Sequence, residues 1–282
     1  MGALMLDSYL DSHGDAPWSM KDIPYHTLDR ELVRDDALLL YIIASASFIE
    51  ITSDHYTRNL IAFFQGDPEI VDWLQNHWEP EEMQHGASLK RYVQTAWPDF
   101  DWEKAYRDFM GEYGALCSNE HYASTRALEM AARCVVETGT SSFYRMMAEI
   151  TAEPVLKELT AKISSDEVRH YKHFYHYFLR YQESERQGRA AVLKTLWERA
   201  MEIDDEDAFI AFKYVFLARN PGVEFKRRDY DDYRKGLRRI GKAHFPFDMA
   251  LKMFLKPLGL STAIGRMVLP PVTAATRLLM LR

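Results

Sequence analysis

The sequence predicts an all-α protein built around a four-helix bundle. Long stretches carry apolar residues at positions i, i+3, i+4 and i+7, which is the spacing of one buried helix face. Glycine and proline cluster at a few places instead of punctuating short strands. A loose twofold repeat is also present, because EEMQH at 81–85 recurs as DEVRH at 166–170. These features predict two antiparallel helical hairpins joined by a long crossover.

Caps, glycines and prolines set the expected helix boundaries. QGDP separates the first pair of long helices, with Asp67 as N-cap and Pro68 at the first helical position, and TAEP separates the second pair. The four long helices are predicted over about 28–64, 68–97, 119–150 and 154–182. Shorter helices are predicted over about 102–116, 188–202, 206–218 and 229–242.

Each half of the repeat carries the pattern acid-Glu-x-x-His. Residues at i and i+3 lie on the same side of a helix, so Glu82 with His85, and Glu167 with His170, each present a carboxylate and an imidazole to one point. The partner helix of each hairpin carries a glutamate inside an uncharged run. These two glutamates are Glu50 in SASFIEIT and Glu137 in AARCVVETGTSS.

Helix geometry places the members of each hairpin at one level. Glu50 lies 16 residues before Gly66 and Glu82 lies 16 residues after it, so the chain climbs and descends ~24 Å at about 1.5 Å per residue. Glu137 and Glu167 are equally distant from the second turn, near position 152. Glu137 lies 52 positions after His85, which leaves enough chain for the crossover.

The residues therefore predict a dinuclear metal centre. Two glutamates and two Glu-x-x-His elements, one element per helix, form the ligand set of carboxylate-bridged di-iron or di-manganese bundles. Without metal, four buried carboxylates would repel one another and each would carry a desolvation cost of several kcal/mol. The predicted ligands are Glu50, Glu82, His85, Glu137, Glu167 and His170.

Other acids and histidines nearby leave alternatives open. Glu81 and Asp166 at i,i+4 are alternative ligands, but only the i,i+3 choice keeps both halves alike, so we expect these two acids to hydrogen-bond the metal-bound imidazoles. His173 is expected on the surface or in the core, with a third ligand as the alternative. Glu129 is expected to pair with Arg133 at i,i+4.

With these residues in place, the sequence resembles the soluble acyl-carrier-protein desaturases of the ferritin-like superfamily, over about residues 40–220. WEPEEMQHGASLKRYV is similar to that family's W-x-x-E-E-x-x-H-G segment, and ETGTSSFYR and SSDEVRHYK to its E-x-x-T and A-D-E-x-R-H segments. The resemblance implies a ferritin-like fold, the same six ligands, and Thr140 as the threonine beside the oxygen-binding side of the cluster. We find no motif match for the family's electron-path tryptophan, and Trp18 is a first guess.

The resemblance implies an oxidoreductase that uses two irons, O2 and two external electrons to oxidise a fatty acyl or similar apolar substrate, most simply by desaturation. Manganese is the alternative metal. A hydroxylase or N-oxygenase of a small metabolite or tRNA base is the alternative activity. A non-catalytic metal-binding protein whose tail docks a membrane or partner is the alternative of another class. The implied partners are an acyl-carrier substrate, a ferredoxin-like electron donor and a second copy in a homodimer.

A substrate channel would be lined by small or apolar residues one turn from the ligands, although a helix core would look similar. The candidates are Ala46, Phe48, Met83, Gly86, Cys134, Thr140, Ser141 and Ile163.

Composition and charge bound the remaining expectations. The 282 residues, 47% of them apolar, suffice for a bundle domain over 1–220 with an extension over 221–282 packed on it. The two cysteines have no CxxC spacing, and acids interrupt the opening segment where a secretory signal would be apolar, so a cytoplasmic protein is predicted. No apolar run reaches the roughly 18 residues of a membrane span.

The C-terminal extension is basic although the chain carries a net charge of −7. Residues 221–282 hold 13 of the 35 Lys and Arg residues and 5 of the 42 Asp and Glu residues. We expect residues 249–282 to pack over the channel or a dimer interface, with peripheral attachment to an anionic membrane as the alternative. Nucleic acid is not expected, because aromatics do not interleave with the cations as a stacking surface requires.

Overall fold

The computed structural model describes residues 17–114, 122–202 and 206–261, with positions 267, 270, 271, 273 and 274. Over these residues the protein is all-helical and contains no strand, as predicted. The α-helices are α1 (Ala37–Ile51), α2 (Ser53–Phe63), α3 (Pro68–Trp73), α4 (Glu79–Ala96), α5 (Trp102–Tyr113), α6 (Arg126–Ile150), α7 (Pro154–Glu185), α8 (Arg189–Glu202), α9 (Glu206–Arg219), α10 (Arg227–His244) and α11 (Phe247–Leu255).

The chain divides into two compact units. The first comprises residues 1–120, 152–159 and 205–233, and the second comprises residues 121–151, 160–204 and 234–282. The predicted extension over 221–282 is thus shared between the units, with 221–233 in the first and the rest in the second.

In the first unit, α1 packs on α4 and α9 packs on both α1 and α5. Phe48 of α1 is fully buried and lies edge-on to Trp102, with its ring centroid 5.3 Å from that of Phe109. The Trp102 indole also donates a hydrogen bond to the hydroxyl of Ser47 (2.9 Å). Phe48, a candidate for the channel wall, therefore belongs to an aromatic core.

The predicted single helix over 28–64 is wrong. A short 3-10 helix occupies Arg30–Leu32, and α1 begins only after Asp36, whose carboxylate accepts a hydrogen bond from the Leu39 amide (2.9 Å) as an N-cap. The helix then breaks at Thr52, and α2 departs at 41°. The Thr52 hydroxyl donates to the Ile49 carbonyl (2.7 Å) and so satisfies an acceptor at the end of α1.

The predicted helix over 68–97 is interrupted by a π-helical segment, Leu74–Trp78. Pro80 follows this segment immediately and has no amide hydrogen. Its ring would also collide with the carbonyl four residues earlier, at Asn76, so the turn before Pro80 widens. Asp67 and Pro68 begin α3 as predicted.

In the second unit, α6 and most of α7 form an antiparallel pair around residues 151–153. The Ser164 hydroxyl of α7 donates to the carbonyl of Ser141 in α6 (2.9 Å), and these residues lie at equal distances from the turn. The α6 helix begins at Arg126 after the N-cap Thr125, not at 119. The predicted end of the helix over 102–116 and the predicted start of the helix over 119–150 both lie in 115–121, outside the described residues.

The helices after α7 cover the predicted segments with shifts of one to two residues, and α11 was not predicted. It packs on α6, with the Tyr171 hydroxyl of α7 donating to the carbonyl of Met253 (2.6 Å). Within the described ranges, no single helix is long and apolar enough to cross a bilayer. Among the helices that the structure describes, one bent pair, α1 and α2, meets that test together, by length and composition.

Candidate metal centre

The first unit brings together three predicted ligands. Glu50 projects from the last turn of α1, and Glu82 and His85 project from the first two turns of α4. One donor atom from each lies within 4.8 Å of the donors of the other two. All three side chains are buried, and His85 has no exposed surface. The prediction that Glu50 and Glu82 lie at the same height along their helical hairpin is therefore confirmed.

Gly86 explains how α1 and α4 approach closely enough to form this trio. A Cβ atom at position 86 would lie 2.3 Å from the backbone nitrogen of Ile51 and 2.6 Å from its Cα. Both distances are below any that real Cβ atoms adopt, and the obstacle is backbone, which cannot rotate away. The glycine directly after His85 thus permits contact between the two helices one residue from Glu50.

Two aromatic residues border the first trio. The indole of Trp18 stacks on the imidazole of His85, with ring centroids 6.1 Å apart and planes 8° from parallel. Gln84 holds the Trp18 segment, because its side-chain amide donates to the Trp18 carbonyl (3.0 Å). Tyr56 of α2 donates to the Ile49 carbonyl (3.3 Å). Burial, with Tyr113, Glu82 and Glu50 nearby, raises the pKa of the Tyr56 phenol well above its usual value.

The second unit brings together the other three predicted ligands. Glu137 lies in the middle of α6, and Glu167 and His170 lie in the facing turn of α7. Nδ1 of His170 is 3.7 Å from a carboxylate oxygen of Glu137 and 3.7 Å from one of Glu167. The exposed fraction of each side chain is at most 2%. The predicted common level of Glu137 and Glu167 is likewise confirmed.

The hydroxyl group of Thr140 borders the second trio. The Thr140 hydroxyl, half-buried one turn after Glu137, lies 3.0 Å from Oε2 of Glu167 and donates a hydrogen bond to it. The same hydroxyl is also 3.3 Å from the carbonyls of Val136 and Glu137. Thr140 therefore contacts a predicted ligand directly.

The surroundings of the second trio oppose negative charge. Burial raises the pKa of the Glu137 carboxyl, and the neighbouring Glu167 carboxylate raises it further, while His170 acts in the opposite direction. Burial also raises the pKa of the Cys134 thiol, one turn before Glu137, with Glu137 as the next cause. Two carboxyl groups in so little water cannot both ionise readily unless a cation joins them.

Each trio has the chemistry of a divalent-metal site. Two carboxylates and one imidazole are the hard and intermediate donors that iron and manganese take in proteins. Donors bonded at about 2.1 Å to one ion lie about 3–4.2 Å from one another, and the observed limit of 4.8 Å is close to this range. The residues present therefore fit a metal ion in each trio.

Four further acidic and histidine residues were singled out from the sequence: Glu81, Glu129, Asp166 and His173. Asp166 is buried and accepts a hydrogen bond from Arg169 (2.7 Å), and Glu81 is buried next to Glu82. The role predicted for both acids, as acceptors for metal-bound imidazoles, stays a prediction. The pairing of Glu129 with Arg133 is confirmed, at 2.8 Å. His173 is exposed, in agreement with the expected surface position.

Sequence reasoning missed two contacts beside the first trio, that of Gly86 with Ile51 and that of Tyr56 with Ile49. The role of Gly86 had a signal, because a glycine inside a helical pattern often marks a close backbone approach. The contact of Tyr56 with α1 had none, since it arises from the break at Thr52. Trp18 was only a guess, and its stacking on His85 depends on contacts between residues 66 positions apart.

The chain was compared with protein-family models, with curated proteins and with solved structures, and none of the three comparisons gave a match.

Proposed function

We propose that the protein is an O2-dependent di-iron oxidase with a ferritin-like four-helix bundle, acting on a fatty acyl or similarly apolar substrate, most simply as a desaturase. The observation that supports it most is the repetition of one donor trio. Two carboxylates and one imidazole converge in each unit, on helices related by the same sequence pattern. In the proposed arrangement each trio would hold one ion.

Charge balance supports two ions. The six ligands comprise four carboxylates and two imidazoles, so two divalent cations neutralise the carboxylates when both imidazoles are neutral. The raised pKa of Glu137 shows how poorly its surroundings accept an unbalanced carboxylate. Metal binding at these residues therefore displaces protons and should stabilise the fold.

The bound metals would supply electron exchange and activation of O2. The protein's own residues have separate tasks. The Thr140 hydroxyl lies where it can hold a proton at Oε2 of Glu167. Trp18, in ring contact with His85, offers a route for electrons from a ferredoxin-like donor. Burial of all six ligands excludes bulk water from the site.

The neighbours of the ligands favour an apolar substrate. Met83 next to Glu82, Cys134 before Glu137 and Ile163 before Glu167 are buried side chains without charge. A fatty acyl chain suits such surroundings because it leaves no polar group without a hydrogen bond.

Iron content tests the metal site. Wild-type protein loaded with ferrous iron is expected to retain two irons per chain, and Glu137→Ala and His170→Ala should lose bound iron because each removes a ligand. His173→Ala is the matched control, since His173 is an exposed histidine one turn from His170, and it should keep both irons. Full iron retention in both ligand variants would refute the assignment.

Oxygen consumption tests the oxidase separately. Reduced, iron-loaded protein should consume O2 when a reductant is supplied, and metal-free protein should not. Stable iron binding without O2 uptake, in the presence of fatty acyl substrates, would keep the metal site and refute the oxidase.

A further inference from the structure

The outer face of α8 in the second unit carries exposed apolar side chains. Leu193, Trp197 and Met201 are 46%, 63% and 62% exposed. They follow one another at intervals of four residues and so share one face of the helix. Val192 and Leu196, about 100° round the helix from Leu193 and Trp197, are buried on the side where α8 packs on α6. An exposed apolar face beside the buried one is typical of a helix with a further partner.

A cavity of about 440 Å³ lies between α6 and α8, beside this face. Its apolar lining comes from Leu128, Ala132 and Ala191, and its charged lining includes Lys194 and Arg199 against one acid, Glu198. The volume is within the range of small-molecule sites. A cavity with a mixed polar and apolar wall that includes two cations suits the phosphate and glycerol part of a lipid better than an uncharged metabolite.

The charge of the second unit favours an anionic partner. Between Arg234 and Ser261 the sequence holds seven Lys or Arg residues and one acid, Asp248. Four exposed cations lie on one face of α10, at intervals of three and four residues: Lys235, Arg238, Arg239 and Lys242. The guanidinium of Arg189, at the start of α8, donates to the Gly259 carbonyl (3.0 Å), which ties this basic segment to α8.

We propose that the outer face of α8 docks on an anionic phospholipid bilayer, with Trp197 at the lipid interface and a lipid headgroup in the neighbouring cavity. An exposed tryptophan between aliphatic side chains is the composition of an interfacial helix, because the indole ring prefers the headgroup level. The cations near the surface add attraction to anionic lipid. This proposal does not depend on the metal site.

Trp197 provides a selective readout. The other five tryptophans, at positions 18, 73, 78, 97 and 102, are at most 8% exposed, whereas Trp197 is 63% exposed. Acrylamide quenching of the full-length protein therefore reports mainly on Trp197. We expect phosphatidylcholine vesicles containing phosphatidylglycerol to protect Trp197 from acrylamide and to carry the protein upward in flotation, whereas pure phosphatidylcholine should do so much less.

Two pairs of variants separate the apolar and the charged contributions. Trp197→Ser with Met201→Ser should reduce vesicle binding by at least about tenfold, and Val223→Ser, at a residue 51% exposed in the first unit, should not. Lys194→Glu should reduce binding by about fivefold, and Arg219→Glu, an exposed cation of the first unit, should leave it unchanged. All five substituted sites are exposed, so the variants are expected to fold, which circular dichroism verifies.

Other occupants give distinct outcomes. Glycerol phosphate alone protecting Trp197, without any vesicle binding, would identify a soluble phosphate ester and overturn the bilayer proposal. A wild-type dimer that becomes monomeric in the Trp197→Ser, Met201→Ser protein, again without vesicle binding, would identify a second copy as the occupant and overturn it equally. If the α8 variants bound vesicles as tightly as their controls in the first unit, the α8 face would take no part in the interaction.

Discussion

The two donor trios contain the same ligands but have different neighbours. Around Glu50, Glu82 and His85 lie a stacked indole and a glycine in backbone contact. Around Glu137, Glu167 and His170 lie a threonine hydroxyl and a buried thiol. The candidate metal ligands repeat between the units, whereas the residues that surround them do not.

This difference indicates a division of tasks within the proposed oxidase. An aromatic ring against His85 favours electron transfer on the first side. A hydroxyl hydrogen-bonded to Glu167 favours proton handling on the second. In this proposal the repeated residues specify where metal would bind, and the unrepeated residues specify what each side would contribute. Four changes test this comparison.

The largest expected effect comes from Gly86→Ala. The new methyl group would meet the backbone of Ile51 at 2.3 Å, so α1 and α4 must separate, at a cost of about 3 kcal/mol or more in unfolding free energy. The first trio should then lose its metal. Gly139→Ala is the matched control, because a Cβ there meets nothing within 4 Å and should stabilise α6 by about 0.5–1 kcal/mol. Denaturant titration and iron analysis measure both. Equal stabilities of the two variants would contradict the close approach.

Glu137 of the second trio should determine how the stability of the metal-free protein depends on pH. Since the folded-state pKa of Glu137 is raised, folded protein holds this proton more tightly than unfolded protein, and stability should fall as pH rises from about 5 to about 8. A tenfold change in the proton affinity of one carboxyl corresponds to about 1.4 kcal/mol. Glu137→Gln cannot titrate and should lose less stability over that range. Melting temperatures in chelator, measured against pH for both proteins, test this, and parallel curves would contradict it.

Trp18→Leu should slow electron delivery and leave iron content unchanged. We expect reduction of the iron-loaded protein by a ferredoxin to slow by about tenfold, equivalent to about 1.4 kcal/mol in the barrier, and Trp18→Phe to recover part of the rate. Stopped-flow reduction under argon measures it. Wild-type rates in the Leu variant would remove Trp18 from the electron route.

Thr140→Val should have the smallest effect. It removes one hydrogen bond to Glu167, worth about 1 kcal/mol or about fivefold in rate, while the metal stays bound. Thr140→Ser, which keeps the hydroxyl, should restore turnover. A wild-type turnover rate in the Val variant would show that the hydroxyl only packs against α7.

The sequence predicted the helical class and both trios because each depends on local spacing. A carboxylate and an imidazole at i and i+3 meet wherever a helix forms, and equal distances from a turn place partners level. The break at Thr52 had no proline or glycine signal. The π-helical segment did have one, in Pro80, but its effect on the preceding turn was overlooked. The stacking of Trp18 on His85 depends on long-range contacts, which periodicity does not encode.

The central claim is that all six ligands bind a pair of metal ions. Anomalous diffraction at the iron edge, from crystals grown with ferrous salt, tests it most directly. The account predicts two peaks, one contacting Glu50, Glu82 and His85 and the other contacting Glu137, Glu167 and His170. A single peak, or iron bound only at surface residues, would contradict it.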